Sequence, residues 1–183
     1  MVLSACPSVY ANIPIMLLRI DHVGIACRSL DAAVERYVSV FGLDVVSREV
    51  NEEQGVKEAM LATTGLATTG LATTGLATTG LATTGLATTG LATTGGTSYV
   101  QLLEPLGPDT PVGRFLERRG EGLHHVGYAV ADVTAALAEI GGRGVRLIDS
   151  RPRHGSMGAS IAFLHPGDLG GVLTELVQPR SDS

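Results

Sequence analysis

The chain has 183 residues, 44% of them hydrophobic, and a formal net charge of -5. That length supports one or two compact units with a real core, and an acidic balance without a long basic run argues against general nucleic-acid binding. No apolar run approaches the roughly 20 residues of a transmembrane helix, and two cysteines, Cys6 and Cys27, build no disulfide framework and fit a reducing, cytoplasmic compartment.

Residues 1–16 read as a loose tail. Pro7 and Pro14 interrupt them, and they lack the basic start and apolar core of a signal peptide. Met16 to Cys27 reads as a strand. Ser29 is the N-cap of a helix from Leu30 to about Val40, with Asp31 in its first turn and Gly42 at its end. Leu43 to Val50 and Val56 to Leu61 read as strands. Then Leu-Ala-Thr-Thr-Gly occurs seven times without a difference, from Leu61 to Gly95. Thr and Gly form helices poorly and each unit has one large apolar side chain. Most of this tract reads as an insertion at a hairpin tip, where added length costs little. Beyond it, Ser98 to Glu104 is a strand, Pro108 to Pro111 a turn, and Val112 to Arg119 a short helix.

A second unit follows. Leu123 to Val130 reads as a strand and Val133 to Ile140 as a helix capped by Asp132. Val145 to Asp149, Ser160 to Leu164 and Val172 to Gln178 read as strands, with a Gly- and Arg-rich loop from Arg151 to Ser160 as a candidate substrate-contact lid. The order is βαβββ twice, an α+β fold with two similar halves at about residues 17–105 and 122–179.

The repeated unit starts on a repeated motif. Asp21-His22-Val23-Gly24-Ile25-Ala26 and His124-His125-Val126-Gly127-Tyr128-Ala129 lie 103 residues apart. Alternation puts His22, Gly24 and Ala26 on one strand face, and His125, Gly127 and Ala129 likewise, with His124 opposite. Each module thus offers one histidine beside small residues. A single such histidine is usually structural; two at matching positions point to a shared site.

Polar residues on the last strand of each half extend the pairing. Glu175 follows His125 by 50 residues; Gln101 follows His22 by 79, or 54 once five repeats are removed. His22, Gln101, His125 and Glu175 therefore occupy equivalent places, two per module. Two imidazoles and two oxygens suit a divalent metal such as Co, Mn, Ni, Fe or Zn. A Gln and a Glu on apolar strands would be costly to bury without partners; solvated faces for both are the alternative.

Six segments carry a family resemblance. They are Asp21-His22-Val23-Gly24, Glu53-Gln54-Gly55-Val56-Lys57-Glu58, Val100-Gln101, Gly122-Leu123-His124-His125, Phe163-Leu164-His165-Pro166 and Gly171-Val172-Leu173-Thr174-Glu175-Leu176. In these the chain resembles the methylmalonyl-CoA epimerase family of the vicinal oxygen chelate (glyoxalase-like) superfamily over residues 17–179, apart from the repeats. The resemblance implies paired βαβββ modules in an open, cupped mixed sheet, and usually a homodimer. It implies an isomerase that interconverts (2R)- and (2S)-methylmalonyl-CoA, in propionyl-CoA metabolism, through a metal-stabilised enolate. It implies a metal, cobalt first, on His22, Gln101, His125 and Glu175, with Glu58 and Glu175 as the two proton-transfer groups. A glyoxalase-like isomerase, an extradiol dioxygenase and a metal-free binding protein are the alternatives on the same scaffold. A one-residue register shift at the repeats would turn Glu58 or Gln101 away from the site.

Overall fold

A computed structural model describes residues 16–63 and 97–180. The proposed tail before Met16, and the repeats beyond Thr63, lie outside the described residues. The first module comprises β1 (Arg19–Ala26), α1 (Leu30–Phe41), β2 (Leu43–Asn51), β3 (Val56–Thr63) and β4 (Tyr99–Pro105). After α2 (Pro111–Arg119) the second repeats the plan: β5 (Gly122–Ala129), α3 (Val133–Gly142), β6 (Arg153–His154), β7 (Ser160–Leu164) and β8 (Thr174–Gln178).

The helix ends follow their local chemistry. Ser29 accepts from the Ala32 N–H at the start of α1, and Gly42 closes it at φ 67°, a left-handed value that favours glycine. Asp132 accepts from the Ala135 N–H at the start of α3. In α2, Thr110 accepts from the Gly113 N–H and Pro111 stands at the first helical position, where its missing N–H costs nothing. That is why the helix takes in Pro111, which the sequence reading places in the preceding turn.

The eight strands form one curled sheet in the order β2-β3-β4-β1-β5-β8-β7-β6. The modules meet where β1 runs antiparallel to β5. On one face, α1 covers Ala59, Leu61 and Leu102 in the first module, and α3 covers Ala162, Leu164 and Leu176 in the second. The opposite face is the hollow of the sheet. There α2 packs Val112 and Leu116 over Ala26, Val56 and Leu103, closing one end.

Two sequence expectations need correction. Val145 to Asp149 is not a strand; it makes a single bridge, Leu147 to Leu164. The Asp149 side chain accepts the Phe163 N–H at 2.8 Å, taking the place of a partner strand's carbonyl. The edge strand forms instead at Arg153–His154, inside the stretch read as a loop. The last strand also starts later, at Thr174, because Gly170 and Gly171 hold left-handed backbone at φ 70° and 85°.

The repeats do not disturb the register. Met60 opposes Gln101 and Glu58 opposes Leu103, so Glu58 and Gln101 share the hollow face. The first repeat itself supplies Leu61, fully buried, and Ala62 to β3. Any repeat number from one upward keeps those two residues in place. Cutting the tract to one unit is therefore expected to leave the melting temperature no lower and cobalt uptake unchanged. A large loss of either would mean that the later units support the sheet.

Candidate metal centre and active site

The four central strands, β4-β1-β5-β8, build the site in two rows. In one row Gly24 lies between Gln101 and His125; in the other Gly127 lies between His22 and Glu175. Each glycine is thus flanked by one imidazole and one oxygen donor. A Cβ on Gly24 would come within 2.1 Å of the His125 ring, and one on Gly127 within 2.5 Å of the His22 ring. The small residues that the sequence reading finds beside each histidine are the seats for the histidine of the other module.

The donors converge. His22 Nε2 lies 2.9 Å from His125 Nε2 and 2.8 Å from Glu175 Oε2, and His125 Nε2 lies 3.2 Å from the same oxygen. All three side chains are buried. Asp21 Oδ1 sits 3.2 Å from His22 Nδ1, and Arg19 braces Asp21 at 2.8 Å. Gln101 donates through Nε2 to Glu58 Oε2 at 2.6 Å and to Ser156 Oγ at 2.9 Å. Its Oε1 is left over.

Three oxygens in this hollow are buried without a hydrogen-bond partner: Glu58 Oε1, Gln101 Oε1 and Glu175 Oε2. Oε2 of Glu175 is close enough to both imidazoles for ion pairing but is not aligned with either as a hydrogen bond. Orphaned acceptors are rare in folded proteins and call for an explanation. Beside two inward-facing imidazole nitrogens, a cation is a sufficient one. His22, His125 and Glu175 form the only cluster of metal-type ligands among the described residues, and the free Gln101 oxygen fits as a fourth donor.

Glu58 lies on β3 and is fully buried. Burial pushes its carboxyl up and the charges of Glu49 and Glu175 add to this, while hydrogen bonds with Ser156 and Gln101 pull the other way without cancelling it. Nothing in the sequence singles out Ser156; it lies in a loop whose only signal is its glycine and arginine content. Met157 beside it has left-handed backbone at φ 56° and donates its N–H to Glu49 of β2 at 2.8 Å. That bond carries the second module's loop across to the first. A cavity of about 590 Å³ opens from the cluster past Tyr99, Ser156 and Met157 to Arg19 and Arg180.

In the metal-free protein the cluster is an ion pair. Burial alone would lower His22, but the hydrogen bond with Asp21 and the close charges of Glu175 and Asp21 outweigh it and lift the ring to about 9. Burial alone would raise Glu175, but His125 and His22 outweigh it and hold the carboxyl at about 2. The raised His22 stabilises the fold fully below its ordinary value of 6.5, and that contribution is lost as pH rises through 9. The depressed Glu175 stabilises above its ordinary 4.5, and that is lost as pH falls through 2. Burial and the neighbouring His125 hold His124 down at about 4, so its contribution is present above 6.5 and is lost as pH falls below that value. Chelator-treated protein is therefore expected to resist urea best near pH 6.5, and to lose roughly 3 kcal/mol by about pH 9. A flat urea profile over that range would contradict the pairing.

Residues 21–163 match the model of the glyoxalase/bleomycin resistance protein/dioxygenase superfamily, and the chain belongs to that superfamily. Within it, the chain belongs to the methylmalonyl-CoA epimerase family. It is 45% identical to a methylmalonyl-CoA epimerase solved in complex with methylmalonyl-CoA and ammonium, with a TM-score of 0.72 over 90% of this chain and 96% of that one. The Mycobacterium tuberculosis methylmalonyl-CoA epimerase structure is 32% identical, with a TM-score of 0.71 and 91% of each chain covered. The ethylmalonyl-CoA/methylmalonyl-CoA epimerase of Cereibacter sphaeroides is 30% identical over 165 residues, 89% of this chain and 99% of that protein.

Proposed function

We propose that this chain epimerises methylmalonyl-CoA by moving a proton at the carbon between the thioester and the carboxylate. The observation that carries the reading is the trio of orphaned buried oxygens, one of them on a carboxyl with a raised pKa, around two inward-facing imidazoles. The 45% identity to an epimerase complexed with methylmalonyl-CoA supports it.

His22, Gln101, His125 and Glu175 would hold the metal. A divalent ion there supplies Lewis acidity to the thioester and carboxylate oxygens, worth several kcal/mol. Two imidazole nitrogens, a carboxylate oxygen and an amide oxygen would suit cobalt first, with manganese, nickel or zinc as further candidates.

Glu58 is the principal base. Its Oε1 has no partner in the fold, and its raised pKa brings it nearer the operating pH, where a general base works best. Gln101 Nε2 holds the other carboxyl oxygen and is itself held by Ser156 Oγ, fixing the direction of attack. Glu175 is the second proton-transfer group. Its Oε2 faces the imidazoles, which leaves Oε1 for the proton, and its low pKa makes it the weaker base. Arg180 at the cavity mouth offers positive charge to the CoA phosphates. The reading includes a homodimer, as the family resemblance implies, in the reducing, cytoplasmic compartment that two cysteines fit. Among the described residues no helix is long and apolar enough to cross a membrane.

The test is α-proton exchange of methylmalonyl-CoA in deuterium oxide, with and without chelator. Exchange that chelation stops and cobalt restores is expected. No exchange from a cobalt-loaded protein would move the assignment to a glyoxalase-like reaction of the same superfamily.

A further inference from the structure

The shared motif of the two modules differs at the position before its histidine. Asp21 precedes His22, whereas His124 precedes His125. Both residues are bulges in the β1–β5 seam. Ile20 opposes Tyr128 and His22 opposes Gly127, so Asp21 is skipped; Gly24 opposes His125 and Ile25 opposes Leu123, so His124 is skipped. A bulge re-aims the extra side chain. Strict alternation would send His124 to the far face. Instead its Nδ1 lies 3.0 Å from Nδ1 of His125, as Asp21 Oδ1 lies 3.2 Å from Nδ1 of His22. Each is braced from behind, Asp21 by Arg19 and His124 by the edge of Phe115 at 5.0 Å between ring centres.

We propose that His124 is a positioning residue for the metal centre: its Nδ1 accepts the Nδ1 proton of His125 and so keeps the Nε2 lone pair of His125 turned to the cation. The inference rests on the metal reading above. A ligating Nε2 carries no proton, so the one proton of a neutral His125 sits on Nδ1. Two Nδ1 atoms 3.0 Å apart share one proton. His124 must then carry its own on Nε2. The second module achieves with an imidazole what the first achieves with a carboxylate. Such partners fix the tautomer and the ring angle of a ligand, and losing one typically costs about 10–100-fold in metal affinity.

The test compares four variants of the full chain by cobalt affinity, measured in competition with a chelating dye, and by the cobalt absorption spectrum. His124→Asp and His124→Asn keep an acceptor; His124→Ala and His124→Phe do not. The first two are expected to bind within threefold of the parent with its spectrum, and the last two about 10–100-fold more weakly with an altered one. Affinities that follow side-chain volume, or that do not change, would overturn the proposal. A parent that takes up no cobalt overturns the metal reading instead. In that case magnetic coupling across the hydrogen bond between the two Nδ1 nuclei of labelled metal-free protein decides the contact itself. It is expected in the parent, and its absence would sink the inference.

Discussion

Replacing Glu58 by glutamine is expected to slow epimerisation by about 10²–10⁴-fold while cobalt still binds. The substitution is close to isosteric, which matters at a fully buried position. The new amide oxygen still accepts from Gln101 Nε2, which now bonds Glu58 Oε2 at 2.6 Å. What is lost is the ability to take a proton. Because burial already disfavours the charged carboxylate, the neutral amide should cost the fold nothing, and the melting temperature serves as the control. The two epimers present their protons to opposite sides, so Glu58→Gln should abolish α-exchange from one and leave the Glu175-dependent exchange of the other. Equal loss from both would remove Glu175 from proton transfer and leave it as a ligand. An unchanged rate would remove Glu58 from the mechanism.

A single added methyl on the seam should be as damaging as loss of a ligand. In Gly24→Ala the new Cβ would meet three atoms of the His125 ring at 2.1, 2.4 and 2.6 Å. In Gly127→Ala it would meet three atoms of the His22 ring at 2.5, 2.7 and 2.9 Å. These rings have nowhere to go. His125 is hemmed by the rings of His22, His124 and Phe163, with centres 5.1–5.5 Å away. Overpacking of this kind costs about 1–3 kcal/mol. The larger effect is on the site, since a displaced imidazole no longer meets the other donors. Both variants are expected to lose at least about 100-fold in cobalt affinity, more than the loss of one supporting hydrogen bond. Gly142→Ala, with open space around the added atom, is the control; in a helix it should be neutral or stabilising by up to about 1 kcal/mol. Unimpaired cobalt binding in Gly24→Ala would show that the imidazoles do not sit over the glycines.

Much of this is legible in the amino-acid sequence itself. Alternation is a local property, so one strand at a time it places His22 and His125 beside their glycines. Duplication does the rest: the matched spacings bring Gln101 and Glu175 into equivalent places, and the same comparison reveals the two-module plan. Caps and turns are equally local, which is why the start of α1 at Leu30 and its stop at Gly42 agree with the sequence reading. The strand expected at Val145–Asp149 does not form because Asp149 bonds a strand 14 residues away, and alternation contains no information about a side chain that replaces a ladder partner.

What only the tertiary structure decided depends on the β1–β5 pairing. The sequence determined the shared face of His22 and Gly24 and that of His125 and Gly127, because that follows from the two-residue period of a strand. It did not determine the register between strands a hundred residues apart, because register is set by contacts across the seam. That register puts each histidine over the other module's glycine, and its two bulges turn Asp21 and His124 onto the rings they precede in sequence. The tertiary structure also leaves Gln101 Oε1 and Glu58 Oε1 unpartnered in the hollow while Gln101 Nε2 bonds Glu58 Oε2 and Ser156 Oγ of the other module.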